Sequence, residues 1–328
     1  MSARVRKTLK IATAVLALLL SAACGGGAST TASPTLRIGY IGTTANLTGA
    51  LGYLHSKGEL VKALSGAGIT TIETHNFANG PDLNQALAGG SLDVGIYGDT
   101  PALVARGAGQ PTRLLGQAGV DLDAAIVTKA GGPASPAELA GRTVAVAKGS
   151  YMHRYLLGAL QDAQVKPAQI LNIPTADTPG ALAGGQIDAA ALPITNAEVL
   201  RAKGLPIIDT LVRDHPNYAG TSVEVATESF LSDHPAFLGA WQSAHSAAVE
   251  QAKSNWPDYL AFAHTLAAFP PEIIDATTPQ SQLDAEPFTR HGLDLLAGTQ
   301  QFLLDAGLQA KAVDIDGWIA SGTRKPAP

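Results

Sequence analysis

The sequence predicts an α/β protein of two related lobes. Each lobe is a mainly parallel sheet flanked by helices, with a ligand cleft between them. Three observations carry this. Short apolar runs ending in glycine-containing turns alternate with helical stretches, so the order β-α-β-α-β emerges, and crossover helices make such strands parallel. The same order then appears a second time. Between the two, Ala86-Leu87-Ala88-Gly89-Gly90-Ser91-Leu92-Asp93 returns almost unchanged as Ala181-Leu182-Ala183-Gly184-Gly185-Gln186-Ile187-Asp188. That offset is far too long for a solenoid repeat and about right for a lobe.

In the first lobe, Leu36 to Tyr40 reads as a short buried strand closed by Gly42-Thr43-Thr44. A helical stretch covers about Leu47 to Leu64, a strand Thr70 to Glu73, and a helix Pro81 to Ala88. Ser91 to Tyr97 is the next strand, closed by Gly98-Asp99-Thr100-Pro101. Asp121 to Thr128 carries the chain into the second lobe. There Arg142 to Val146 is a strand ending in Lys148-Gly149-Ser150, followed by a helix from Tyr151 to Asp162. A strand at Gln169 to Ile173, a helix at Pro179 to Ala183 and the strand Gln186 to Ala191 complete the repeat. Ser222 to Ala226 brings the chain back. Amphipathic helices at Phe237 to Lys253, Tyr259 to Ala268 and Gly292 to Ala306 are expected to pack on the first lobe.

The N-terminus is expected to lie outside this fold. Arg4, Arg6, Lys7 and Lys10 precede an apolar run, Ile11 to Leu20, which is too short to span a bilayer comfortably and is followed by Ser21-Ala22-Ala23-Cys24. This reads as an export signal. Because Cys24 is the chain's single cysteine and directly follows the small residues, the segment resembles a bacterial lipoprotein signal, in which the cysteine is lipidated. The alternative is ordinary cleavage near Ala23. Gly25 to Pro34 reads as a flexible tether. The expected organisation is therefore signal 1–23, tether 24–35, first lobe 36–122, second lobe 123–220, and a return to the first lobe over 221–328.

Composition narrows the function. A single cysteine excludes a disulfide framework and a cysteine-based metal site within the chain. Without residues 1–23, 18 basic residues face 27 acidic ones, a net of −9, and no long basic run occurs, so nucleic acid is not an expected partner. Neither G-x-S-x-G, Walker A nor H-E-x-x-H is present. Asp314-Ile315-Asp316-Gly317 imitates part of a calcium loop without its ligand spacing. No catalytic residue, metal or cofactor is predicted.

Several motifs together carry a family resemblance. Phe77-Ala78-Asn79-Gly80-Pro81, Gly90-Ser91-Leu92-Asp93-Val94-Gly95 and Gly98-Asp99-Thr100-Pro101 resemble the first-lobe signature of aliphatic sulfonate-binding proteins of ABC importers. Gly141-Arg142-Thr143-Val144-Ala145-Val146 with Lys148-Gly149-Ser150 and His153 is similar to their second-lobe signature, and Lys311 to Ile315 to their C-terminal stretch. The combination belongs to the wider nitrate, sulfonate and taurine group. It implies a type II periplasmic-binding-protein fold and a monomeric, extracytoplasmic solute-binding lipoprotein. Its implied partners are a small-molecule ligand, an ABC permease with its ATPase, and the membrane through a lipid anchor. The chain departs from the group in two places. Leu192-Pro193-Ile194 keeps only the proline of a Trp, acidic residue, Pro pattern, and Ile41 stands where glutamine is common. A related branch makes a thiamin pyrimidine with a cysteine-rich motif, which has no counterpart here. An exported enzyme or a ligand sensor using the same cleft remains the alternative.

Ligands of open parallel sheets sit beyond the carboxyl ends of the strands, which selects the candidate binding residues. Gly149 and Ser150 open a helix whose free amides favour an anionic oxygen cluster, unless Ser150 is only a cap. Tyr151 and His153 lie in its first turn. Gly98, Asp99 and Thr100 repeat the arrangement in the first lobe, with Thr100 as cap and Asp99 facing either an amino or hydroxyl group or only its own loop. Tyr40 either covers an apolar ligand body or turns into the core. Ile41 and Leu192 would add apolar surface, and Thr195 and Asn196 either bond ligand or cap their helix.

Overall fold

The computed structural model describes residues 34–42, 45–266 and 269–323. The expected signal, most of the tether and Cys24 lie outside these, as do Thr43 and Thr44.

Two five-stranded sheets form, in the orders β2-β1-β3-β10-β4 and β7-β6-β8-β5-β9. The first comprises β1 (Thr35–Ile41), β2 (Thr71–Phe77), β3 (Val94–Gly98), β4 (Thr112–Leu122) and β10 (Gly220–Thr227). The second comprises β5 (Ala124–Thr128), β6 (Thr143–Val146), β7 (Gln169–Asn172), β8 (Ala189–Pro193) and β9 (Ile207–Thr210). Strands joined by crossover helices are parallel, namely β1 with β2 and β3, and β6 with β7 and β8. The strands that change lobe are antiparallel to them: β10 to β3 and β5 to β8.

Helices cover both sheets. The first lobe carries α1 (Gly49–Ser56), α2 (Glu59–Leu64), α3 (Gly80–Ala88) and α4 (Asp99–Gly107). The second carries α5 (Tyr151–Asp162), α6 (Thr178–Ala183), α7 (Ile194–Ala202) and α8 (Leu211–Asp214). The remainder is α9 (Glu228–Asp233), α10 (Phe237–Ser254), α11 (Trp256–His264), α12 (Pro271–Thr277), α13 (Arg290–Asp305) and α14 (Ile315–Trp318). The single helix expected over Leu47 to Leu64 breaks at Gly58, whose φ of +68° is the left-handed conformation that glycine adopts without penalty. Sequence patterning does not reveal β9 or most of β4, whose partners decide their fate more than their composition does.

Each sheet has apolar clusters on both faces. In the first lobe one face packs on α1, α2 and α10 through Tyr53, Phe237 and Trp241, the other on α3, α4 and α13 through Leu83, Leu103 and Leu296. The second lobe divides its core likewise, with Tyr155 and Leu156 of α5 on one face and Leu182 and Leu200 on the other.

The eight-residue repeat has one structural meaning. Gly90 and Gly185 both take left-handed conformations after a helix. The aspartate three residues on then caps the start of the neighbouring strand: Asp93 accepts from the Arg37 amide at 2.8 Å, and Asp188 from the Thr143 amide at 3.0 Å.

Candidate functional site

Both parallel sets end at the interlobe face. Gly98, the last residue of β3, pairs with Ser222 two residues beyond the start of β10, where the chain re-enters the first lobe. Pro193, the last residue of β8, pairs with Ala124, the first residue after the outward crossing. Asp123 is the hub of that crossing. Its carboxylate accepts from the amides of Ala124 and Val212, while its carbonyl accepts from the Ile194 amide at 3.1 Å and the Tyr151 hydroxyl at 3.1 Å. At the return crossing the Tyr151 ring lies where a Cβ on Gly220 would be, 2.7 Å away, so only glycine allows this approach. Tyr151 is thus committed to both crossings.

The start of α5 follows the sequence reading closely. Ser150 is its N-cap: the hydroxyl accepts from the His153 amide at 3.4 Å and donates to the Ala147 carbonyl at 2.6 Å. The hydroxyl is therefore spent on the turn, and what the helix start offers outward is the amides of Tyr151 and Met152, which have no acceptor inside the helix. Gly149 supplies the left-handed turn residue before the cap, with φ of +79°. His153 is buried, which pushes its imidazole below the ordinary range, and the nearby Lys148 charge adds to this. It is neutral at pH 7 and Nδ1 accepts from the Gly149 amide at 3.5 Å, which leaves the ring proton on Nε2. Lys148 itself is exposed at the rim.

The start of α4 corrects the sequence reading. The cap is Gly98 and the helix begins at Asp99, not after Thr100. Asp99 is fully buried and its oxygens are taken up by internal donors. Its Oδ2 accepts from the Thr221 amide at 3.2 Å, the Thr221 hydroxyl at 3.0 Å and the Thr299 hydroxyl at 2.9 Å; Oδ1 accepts from the Thr100 hydroxyl at 3.1 Å. Burial pushes the Asp99 carboxyl up, against the lowering effects of the Arg154 charge and the three hydroxyls. Arg154 enters from α5, donating to Thr299 Oγ1 at 2.7 Å and to the carbonyls of Ala219 and Asn217. The result is a buried network that joins α4, β10 and α13 to α5 across the crossing. Sequence reasoning missed Arg154, although a lone arginine beside Tyr155 and Leu156 on an apolar helix face is the kind of signal that marks a buried charge.

Two further expectations are corrected. Tyr40 is fully buried in the first-lobe core, the second of the two orientations open to it. Leu192 packs with Ala125, Leu182 and Ala197 in the second-lobe core, because β8 is covered on both faces and alternation places Leu192 on one of them and Ala191 on the other. Among the described residues Ile41 is one of two exposed large hydrophobic side chains, at 37%, and it ends β1. Thr195 and Asn196 are half-buried in the first turn of α7; Thr195 Oγ1 lies 2.9 Å from Thr277 Oγ1 of α12. No group of His, Cys, Asp or Glu among the described residues could hold a metal ion.

Two α/β lobes linked by two strand crossings, with both parallel sets ending at the interlobe face, define the periplasmic-binding-protein fold. The chain belongs to the NMT1/THI5 like family, whose pattern it matches over residues 67–258. It is 32% identical over 206 residues to an aliphatic sulfonates-binding protein of Escherichia coli (strain K12), a match spanning 60% of this chain and 60% of that relative's length. Among solved structures it resembles the alkanesulfonate-binding protein of Xanthomonas axonopodis pv. citri bound to MOPS, with a TM-score of 0.71, 21% identity, and coverage of 88% of this chain and 99% of that one. It also resembles a point mutant of the desulfurization enzyme DSZB in complex with biphenyl-2-sulfinic acid, with a TM-score of 0.69, 20% identity, and coverage of 88% and 96%. At these identities the two structures establish the fold alone.

Proposed function

We propose that the protein is the extracytoplasmic solute-binding component of an ABC importer and that it captures a small organic anion, sulfonate-like in chemistry, between its lobes. The observation that carries this reading is the start of α5. A neutral cap, a neutral histidine and the free amides of Tyr151 and Met152 meet at the interlobe face, and the cap and the histidine bond to backbone groups of their own turn. Such a helix start suits a tetrahedral or planar anionic oxygen cluster. The binding surface we assign is Ile41 and Gly98 from the first lobe and Gly149, Ser150, His153, Thr195 and Asn196 from the second. Ligand contact with both lobes lowers the free energy of the closed form relative to the open one, and the closed form is what a permease and its ATPase receive. Export through residues 1–23 and lipidation at Cys24 complete the proposal, tethering the protein to the outer face of the membrane. A Cys24→Ala chain is then expected in the soluble fraction.

An enzyme is the competing reading, since a desulfurization enzyme has the same fold. Chemistry on a sulfur-oxygen headgroup needs a nucleophile or an acid-base pair, and the groups at the α5 start are a capping hydroxyl and a histidine held below its ordinary range. Calorimetric titration of taurine, nitrate and a series of alkanesulfonates, with product analysis after each, separates the readings. Binding expects one-to-one retention of intact ligand; turnover of any member of the series would overturn it.

A further inference from the structure

The lobes touch at a third place besides the two crossings. The chain between α11 and α13 leaves the first lobe as α12, packs against α7 of the second lobe, and returns to the crossing. Both ends of this excursion are held by the first lobe. His264 of α11 pairs with Asp275 of α12 at 2.7 Å, and Gln282 Nε2 donates to the carbonyl of Asp121 beside the crossing at 3.0 Å. Towards the second lobe the polar link is the contact of Thr277 Oγ1 with Thr195 Oγ1 at 2.9 Å. Its polarity is fixed. Thr277 donates its one hydroxyl proton to the Ile273 carbonyl at 2.7 Å, so Thr195 must donate to Thr277.

This asymmetry has a mechanical consequence. When the lobes part, α12 either stays with the first lobe, to which the His264–Asp275 and Gln282–Asp121 hydrogen bonds and its chain connections bind it, or follows the second, to which the single Thr195–Thr277 hydrogen bond ties it. The weaker link gives way. We infer that α12 is a latch across the interlobe face, clasped by Thr195 and Thr277, which opens when the lobes separate and seals one side of the site when they close. Thr195 follows directly from Pro193 and Ile194 at the end of β8, so the clasp sits at the edge of the surface assigned to ligand. The inference rests on the two-lobe closure proposed above but on no particular ligand.

A Thr195→Cys/Thr277→Cys protein tests it without ligand. The two side chains meet at their γ-oxygens, so a disulfide between them would close the same contact covalently. Amide hydrogen exchange is compared in the oxidised and reduced forms of the same ligand-free protein, read at the first turns of α5 and α7. The latch predicts that oxidation slows exchange there at least tenfold and leaves β1 and α10 unchanged. The single variant Thr277→Val, with an unchanged melting temperature, is expected to speed the same amides several-fold. Equal exchange in the two redox forms would mean a fixed strut and would overturn the latch. Failure of the disulfide to form together with unchanged exchange in Thr277→Val would overturn it too, since the clasp would then not exist in solution, whereas faster exchange in Thr277→Val supports it with or without the disulfide. Neither result depends on whether the ligand is a sulfonate.

Discussion

The starts of α4 and α5 are built from one local plan and do opposite things. Each follows a parallel strand and a glycine near the interlobe face, Gly98 at the end of β3 and Gly149 three residues after β6. At α4 the chain places its own carboxylate, Asp99, at the helix start and closes Thr100, Thr221 and Thr299 around it. At α5 it places a neutral serine whose hydroxyl is absorbed by the turn, leaving amides to the outside. A helix start attracts negative charge in either case. The first lobe satisfies that attraction from within, whereas the second leaves it for something that arrives. Similar sequence logic at two strand ends therefore does not imply two half-sites, and whether a carboxylate or a neutral side chain stands at the helix start decides which one becomes structure.

The largest effect is expected from breaking the internal side. Arg154→Met removes the donor to Thr299, Ala219 and Asn217 and leaves the Asp99 charge buried without its counter-charge. Loss of one partner from a buried charged network costs about 3–5 kcal/mol. Denaturant unfolding should show this destabilisation, and adding Asp99→Asn should recover part of it. A single variant within about 0.5 kcal/mol of the parent would mean that the network is not closed as described.

The second concerns another internal charge of the first lobe. Glu224 in β10 accepts from Trp241 Nε1 at 2.6 Å and meets His245 Nδ1 at 2.8 Å, and His245 Nε2 reaches the Asp284 carbonyl at 2.9 Å. Burial alone would lower the imidazole, but the Glu224 charge and these bonds override it and push His245 up to about 9. A histidine raised on folding adds stability that is complete below its unfolded pKa of roughly 6.5 and is lost as pH climbs through the folded value. Stability should therefore fall by something on the order of 2–3 kcal/mol between about pH 6.5 and pH 9, and His245→Gln should flatten that slope. A slope unchanged in the variant would remove His245 from the account.

Much of this was legible in the chain. The apolar runs, the Gly-Gly repeat and the cap at Ser150 are local signals, and the repeat proved to encode the same strand-capping aspartate in both lobes. What could not be read depends on partners distant in sequence. Asp99 and Thr221 are separated by 122 residues, Arg154 and Thr299 by 145, and Thr195 and Thr277 by 82. A carboxylate beside a helix cap looks the same whether it faces ligand or three buried hydroxyls. Tyr40 is ambiguous in the sequence, and Leu192 is misplaced, for a related reason. Strands covered on both faces show no polar alternation, so nothing local tells which way a side chain turns.

Charge at the α5 start sharpens the comparison from the ligand side. Ser150→Asn and Ser150→Asp both keep a good N-cap, but only the aspartate adds a carboxylate to this helix start, where the first lobe has Asp99 one position further along. The asparagine variant should hold an alkanesulfonate within about threefold of the parent, while the aspartate variant should lose at least about tenfold, on the order of 1.4 kcal/mol. Melting temperatures for the two should agree closely. If both variants bind equally well by calorimetry, the anionic end of the ligand lies elsewhere.

The smallest effect is expected at Ile41, and it asks whether the first lobe contributes anything to ligand beyond its shape. With Asp99 committed internally and Tyr40 and Leu192 in the cores, Ile41 is the one apolar side chain of the candidate set left exposed. An exposed isoleucine at a strand end gains from covering an apolar ligand body and has nothing to offer an anionic head. Removing its outer carbons in Ile41→Ala takes away contact worth about 0.8 kcal/mol per methylene actually buried. Because the side chain is already partly covered, the loss should be about three- to fivefold in affinity for a medium-chain alkanesulfonate, on the order of 0.6–1 kcal/mol. Taurine and nitrate, which have little apolar body to cover, should be unaffected, as should the melting temperature. A chain-length series measured on both proteins makes this a difference in slope and not in absolute affinity. Parallel slopes would show that Ile41 makes no contact with the ligand body, and the recognition of that body would then belong to the second lobe together with the recognition of the head.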